Sequence, residues 1–481
     1  MRKIAHFTIK IFGILGDFFG HTSLHGLKFI AERDRHWSER LLWTALCTIS
    51  WIGFGILFKI SHTAFQEDAT RYEVDTNYLQ AQAIFPFVTV CEYDNPALLL
   101  KKAEEIFGEE HGQDYVELLR ELTYFRGTAP QMKANGNNND IMLLKGNFSG
   151  LAKEVRMECD ELFSDCFWND DDDFDCCKHF LPTETELGPC FTFSIENEKL
   201  IKDRGDPDWV DVTLNERKQM ADLMFDMTGA AKVYLHSQYD VPYLNTAPSH
   251  IIQGVPRYVK MALITFFDLR NAPEVRQLSV NRRKCRFPDE NDLKSADFYS
   301  YSACILDCRR KAQMYLCNCT SHFTPKSKPE EHCDYNGIIC LHNHSRNLLK
   351  LKTQWSGSDG LACDCLPSCE DNDFDINIFE TEDMIEFLAR FNHSGVSLRS
   401  MSLPSEIYRR IVVRGVLDLV VSIGGAAGLF VGASLLTVLE VTYYFVFRSK
   451  RQSRGNRTRH EDEVAQDGNG TVPQGLLPFV L

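Results

Sequence analysis

Two apolar runs near opposite ends of the chain limit what it can fold into. The first, Leu41–Phe58 (LLWTALCTISWIGFGILF), contains no charged residue. At 1.5 Å per residue it nearly matches a hydrocarbon core roughly 30 Å thick. It starts too late for an ordinary cleaved signal peptide, and no small-residue cleavage site follows it. The second run extends from about Ile411 to Phe447. As one helix it would be about 55 Å long, so it must tilt strongly, break or leave the bilayer. Lys28, Arg33, Arg35 and Arg40 precede the first run, and Arg448, Lys450, Arg451 and Arg454 follow the second. The excess of positive charge places both termini in the cytoplasm. Arg409, Arg410 and Arg414 fall on the other side and weaken this asymmetry without reversing it. The expected organisation is a cytoplasmic segment (1–40), a first transmembrane helix (41–60), an extracellular domain (61–405), a second transmembrane helix (406–447) and a cytoplasmic tail (448–481).

The cysteines follow the same division. Cys47 lies in the first run, and the other sixteen fall between Cys91 and Cys369. An even number confined to the oxidising side reads as a disulfide framework. Zinc binding by the C-x-C and C-x-x-x-C spacings is the lesser alternative, because extracellular thiols oxidise. No metal and no cofactor are expected. Sequons at Asn147, Asn318, Asn343 and Asn392 suit glycosylation on the outer side, whereas those at Asn456 and Asn469 lie in the cytoplasmic tail and should stay unmodified. The net charge of −15 argues against a nucleic-acid partner, since phosphate binding needs a basic surface. An enzyme is a poor reading, because the chain has no G-x-S-x-G, no H-E-x-x-H and no P-loop.

Between the runs the chain reads as mixed α and β. NPALLLKKAEEIFG is expected to form a helix capped by Asn95 and ended by Gly108. DYVELLRELTYF is a second helical candidate. AKVYLHSQ and RYVKMALITFFDL alternate as strands do, while ANGNNND and the acidic WNDDDDFD are loops. The best helix of this region is Ser295–Cys319. In a helix, Cys304 and Cys308 share a face; in an extended segment, Cys363 and Cys365 do too. An antiparallel arrangement would pair Cys304 with Cys365 and Cys308 with Cys363, with Cys285 and Cys369 closing the ladder from outside.

Several motifs together resemble the degenerin/epithelial sodium channel family, and within it the arthropod pickpocket branch. They are SLHGLKFI with His25-Gly26, FPFVTVC at Phe85–Cys91, YSACILDCRRKAQMYLCNC, CDCLPSC, and GLFVGASLLTVLE with Gly432-Ala433-Ser434 in the place of a G-x-S selectivity motif. The resemblance covers nearly the whole chain. It implies an α+β membrane protein in which two transmembrane helices flank a hand-like, disulfide-rich extracellular domain of the acid-sensing-channel type. It also implies a homo- or heterotrimer in the plasma membrane, around a Na⁺-permeable pore blocked by amiloride. The pairings it implies are Cys91–Cys190, Cys159–Cys166, Cys285–Cys369, Cys304–Cys365, Cys308–Cys363, Cys317–Cys340 and Cys319–Cys333. Cys176 and Cys177 have no family partner; a vicinal bridge, a bridge between subunits and free thiols all stay open. Gating is assigned to His25, Gly26 and Val421. Proton gating is not implied.

The composition of the second run has a physical reading beside this one. Gly424, Gly428 and Gly432 are spaced by four and would line one helical face, which lets membrane helices pack closely. Gly432-Ala433-Ser434 offers little bulk and little resistance to unwinding. Unwound backbone at membrane depth is tolerated where it lines water or is buried in protein, and there its carbonyls and the Ser434 hydroxyl can replace part of a cation's hydration shell. Glu440 adds charge below this belt and Asp418 above it. Ser422 stands where better-known family members carry Asp, removing a carboxylate from the outer mouth. A cation-channel subunit is the reading favoured by Asp418, Glu440 and the belt. A non-conducting receptor or accessory subunit is the alternative.

Overall fold

The computed structural model of the chain describes residues 18–20, 22–32, 34–75, 83–108, 112–134, 147–169, 174–205, 208–215, 220–254, 259–352, 359–370, 373–380, 394–402 and 407–444. The chain divides into two compact units: residues 1–70 with 412–481, and residues 71–411.

Among the described residues of the smaller unit one helix, Trp37–Glu67, is long and apolar enough to cross a membrane, and none of its residues is buried. Val416–Val431 and Leu435–Tyr443 pass the same test only as a pair, bent by 70°. Large apolar side chains such as Leu42, Ile49, Leu417 and Leu435 are exposed on these helices. Gly53 lets the first helix approach the second segment, since a methyl group there would lie 2.6 Å from the Phe430 ring.

The larger unit is built on two sheets. One has the order β1 (Thr70–Asp75), β14 (Ile407–Val412), β11 (Val259–Asn271), β13 (Ser394–Ser402), β8 (Asp222–Met227) and β4 (Phe163–Trp168), with β12 (Asp373–Glu380) also on β11. The other has the order β10 (Ile251–Gln253), β9 (Ala230–His236), β3 (Phe87–Asp94), β6 (Gly188–Phe193) and β5 (Leu181–Thr185). A short pair, β2 (Ala83–Ile84) and β7 (Thr213–Leu214), stands apart. β3 is central in its sheet and its first six residues are buried, which is why FVTVCE alternates so little. The two sheets share one apolar core containing Phe85, Trp168, Phe180, Phe193 and Phe225, packed largely edge to face.

Helices Pro96–Phe107, Gln113–Thr123 and Phe148–Val155 form a second core with residues 319–348. The first of them begins at Asn95, whose side chain accepts from the Leu98 N–H, and ends at Gly108 with φ 86°. The 295–319 helix is shorter than its sequence suggests. It spans Tyr301–Cys317, because Ser300 caps it by accepting from the Ala303 N–H and Asn318 ends it in the left-handed region. Its fully buried Arg309 donates to the Leu348 carbonyl at 3.0 Å and pairs with Glu186 and Asn245.

Eight disulfides join sixteen cysteines. Cys304–Cys365 and Cys308–Cys363 form the ladder along this helix, and Cys285–Cys369 lies at its base. Cys91–Cys190, Cys317–Cys340 and Cys319–Cys333 are also present. The expected Cys159–Cys166 pair is not. Cys159 joins Cys177 and Cys166 joins Cys176. The reason is local geometry: Cys176 and Cys177 are successive residues of the helix Cys176–His179, so their side chains diverge by about 100°. Cys176 meets Cys166 of β4 within the core, while Cys177 meets Cys159 at its margin. Asn147, Asn318 and Asn343 are exposed; Asn392 and the two tail sequons lie outside the described residues, as do 135–146 and Asp170–Asp173.

His322 sits inside the helical core among Phe125, Phe148 and Phe323. Its Nε2–H donates to the Leu122 carbonyl at 2.9 Å. Burial pushes its pKa down to about 3. Unfolded His322 therefore takes a proton near pH 6.5 while the folded residue stays neutral, and stability falls as pH drops through 6.5 toward 3. One such site contributes a slope of up to about 1.4 kcal/mol per pH unit. We expect His322→Phe to flatten the loss of stability between pH 7 and 5 by about one proton; unchanged slopes in denaturant titrations would refute this. For the bridges, we expect non-reducing peptide mapping to recover Cys159–Cys177 and Cys166–Cys176. A peptide joining Cys159 directly to Cys166 would overturn the pairing.

Candidate pore segment and its capping loop

Gly432 and Glu440 of the second apolar run meet the N-terminal segment within the smaller unit. The Val416–Val431 helix starts at Gly415, whose N–H is taken by Asp418 Oδ2 at 2.8 Å. It ends at Gly432, which has φ 68° and ψ 22°. The Gly432 N–H keeps the ordinary helical bond to the Gly428 carbonyl, and the Ala433 N–H turns back to the Ala427 carbonyl, each at 3.2 Å. A second helix, Leu435–Tyr443, then starts at Ser434. Ser434 Oγ accepts from the Thr437 N–H at 3.4 Å, and Thr437 Oγ1 accepts from the Ser434 N–H at 3.2 Å. The Gly-Ala-Ser triplet is thus a helix break whose amides are all taken within the chain, with Ser434 and Thr437 capping the helix that follows.

The N-terminal segment completes the cap. The His25 N–H donates to the Val431 carbonyl at 3.0 Å, filling an acceptor that the helix end leaves open. The His25 ring lies on Gly432, where a methyl group would come within 2.5 Å of it. Gly26 has φ 80°, and a methyl group there would strike Cys47 Sγ at 2.5 Å. The His-Gly order therefore has a steric cause: a ring that covers one glycine, followed by a glycine that fits against the Trp37–Glu67 helix. Ser23 Oγ donates to Glu440 Oε2 at 2.7 Å and lies 3.1 Å from Thr437 Oγ1.

This chain matches the family described as "Amiloride-sensitive sodium channel" over residues 18–444. It belongs to that family. It is 24% identical to the sodium channel protein Nach of Drosophila ananassae, over 89% of this chain and 86% of the relative. To pickpocket protein 28 of Drosophila melanogaster it is 22% identical, over 93% and 80% respectively. To the bile acid-sensitive ion channel of Mus musculus it is 24% identical, over 89% and 86%. The family is one of ion channels, and the chain is a channel subunit and not an enzyme.

In this family member the sequence-derived site residues fall into two groups. His25, Gly26, Gly432, Ala433, Ser434 and Glu440 come together through the contacts above. Asp418, Val421 and Ser422 lie along the first half of the Val416–Val431 helix and are exposed, Val421 at 64%. One expectation changes. The three spaced glycines do not share one helical face, because the helix ends before Gly432 and that residue turns left-handed. Gly424 has open space around it and Gly428 only a distant carbonyl. Two candidate metal-donor groups, Cys317 with Cys340 and His344, and Cys159 with Asp160 and Cys177, each use sulfurs already joined in a bridge. Ser23 and Thr437 were not legible as site residues, since neither belongs to a motif with its own chemistry.

The contact of His25 on Gly432 makes a double-mutant test possible. A non-glycine residue at φ 68° costs about 1–2 kcal/mol, and the His25 ring adds a steric cost. We expect Gly432→Ala to destabilise the purified protein by about 2–4 kcal/mol with His25 in place, and by only about 1–2 kcal/mol in a His25→Ala background. Equal costs in both backgrounds, read from thermal unfolding, would remove the contact from the account.

Proposed function

We propose that the chain is a pore-lining subunit of a Na⁺-permeable cation channel in the plasma membrane, assembled from three identical or related family subunits. It is blocked by amiloride-type compounds and opened by an extracellular stimulus. In this reading both apolar segments span the bilayer, the termini are cytoplasmic and residues 61–405 are extracellular. The placement of basic residues, bridged cysteines and exposed sequons supports that topology.

The observation that carries the proposal is the capped break at Gly432–Ser434 inside an apolar run. A continuous helix would serve an anchor equally well, whereas small residues at an interruption allow three chains to approach until backbone carbonyls face one ion. Gly432, Ala433 and Ser434 then form the narrowest cation site, with Asp418 and Ser422 toward the outer mouth and Glu440 on the inner side. His25 and Gly26 brace the break, and Val421 marks the position where bulk holds the pore open. Coordination falls chiefly to carbonyls, because the Ser434 hydroxyl is engaged as a helix cap.

The test is expression in oocytes, alone and with related subunits. We expect Ser434→Leu to abolish current or change the Na⁺/K⁺ permeability ratio while surface expression persists. Glu440→Gln should lower conductance less severely, since it alters field and not shape. Val421→Phe should give standing inward current that amiloride blocks. If Ser434→Leu leaves both ratio and conductance unchanged in a conducting channel, the break serves packing and the pore lies elsewhere. Surface expression with no current in any combination would favour the accessory-subunit reading.

A further inference from the structure

The larger unit contains a cavity of about 350 Å³ that none of the pore assignments uses. It opens between the first turn of the Tyr301–Cys317 helix, the end of β9, the 240–250 loop and β12. That volume lies at the small end of ligand pockets. Aromatic side chains dominate the wall: Tyr234, Tyr243, Tyr301 and Phe374, with His236 and His250. The one carboxylate is Asp240, and no Lys or Arg lines the cavity among the described residues.

The charge balance in the cavity is one-sided. Asp240 accepts from the hydroxyls of Ser237, at 3.0 Å, and Ser302. Among the described residues it makes no ion pair within 4.0 Å, although ion pairs are common elsewhere in the unit. His236 does not compensate it. Its Nδ1–H donates to the Ser237 carbonyl at 3.1 Å, so Nε2 accepts from Thr89 Oγ1 at 2.8 Å. Both ring nitrogens are committed in the neutral form. The nearby guanidinium of Arg309 is already used by Glu186 and Asn245. A partly enclosed carboxylate, aromatic walls and an absence of fixed positive charge favour a cationic guest with an apolar body. A bare Ca²⁺ ion does not fit, because it needs six to eight oxygens and the wall supplies one carboxylate. An anion would meet Asp240 with no counter-charge.

We propose that this cavity binds a small arylalkyl ammonium ion, with its ammonium group on Asp240 and Ser237 and its ring among Tyr243, Tyr301 and Phe374. Such a guest bridges the first turn of the disulfide-laddered helix to β9 and β12. Its role as an opening stimulus rests on the channel reading above; binding itself does not.

The experiment uses the full chain in detergent or nanodiscs, with 2-phenylethylamine as the probe and 2-phenylethanol as its neutral isostere. Calorimetry should show saturable binding of the amine, with the alcohol at least tenfold weaker. Asp240→Asn keeps the acceptor for Ser302 and should weaken the amine at least tenfold while leaving the alcohol unchanged. Tyr301→Ala, at the exposed lip, should weaken both without shifting the unfolding midpoint. Equal binding of amine and alcohol, absence of amine binding to the wild type at millimolar concentration, or full amine affinity in Asp240→Asn would each overturn the proposal. In oocytes, an amine-evoked change in current that Asp240→Asn removes supports the stimulus role. Binding with no effect on a conducting channel overturns that role alone, and binding with no current in any subunit combination counts against the channel reading alone.

Discussion

A backbone interrupted inside an apolar run frees polar groups that need partners, and the break after Val431 finds most of them within the chain itself. The Leu435–Tyr443 helix is capped by Ser434 and Thr437, and two amides fold back on the preceding turn. One carbonyl, that of Val431, is met by an amide some four hundred residues away in sequence, on His25. The N-terminal segment is therefore part of the helix break and not an appendage to it. Two residues before His25, the Ser23 hydroxyl donates to the Glu440 carboxylate, so the segment that meets the break also meets the charge of the helix that follows it.

The larger unit is held by a different device, in which buried cations gather carbonyls. Arg156 is almost fully buried and donates to the carbonyls of Thr123, Leu187 and Pro189 at 2.8–3.0 Å. Burial lowers its pKa to about 10, so it stays charged at neutral pH. Gly188 is required beside it, with φ 102° and no room for a methyl group against the guanidinium. Arg156 joins the Phe148–Val155 helix to the five-stranded sheet, and Arg309 joins the Tyr301–Cys317 helix to the turn that precedes β6. Disulfides then fix what these cations arrange.

Local chemistry made much of the fold readable in advance. Asn95, Pro96 and Gly108 bound a helix because cap and stop residues act on their immediate neighbours. The four-residue spacing of Cys304 and Cys308 and the two-residue spacing of Cys363 and Cys365 fit a ladder because each period belongs to one backbone conformation. The pairing of Cys159 and Cys166 with the adjacent Cys176 and Cys177 was not readable. It depends on where a four-residue helix lies against β4, which no spacing encodes. The contacts of Ser23 and His25 on the break were equally hidden, since they join distant segments through ordinary residue types. The motif containing Gly432 was visible, but its left-handed turn was not, and the glycine stripe drawn through it ends one residue too soon.

β11 carries a structural feature with a mechanical meaning. Along residues 260–267 it pairs with β12 in antiparallel fashion, and along 268–271 it pairs in parallel with β14. β14 ends at Val412, three residues before Gly415 and the helix that follows. On the same strand, the Arg410 guanidinium reaches the Tyr72 hydroxyl of β1 and Cys285 Sγ. A load directed along the axis of β14 would shear that strand against the parallel β11. Its bonds to β11 are then strained together, as in a lap joint, instead of parting one by one as a hairpin does when pulled from its open end. A joint of this kind yields little under partial load and gives way as a unit.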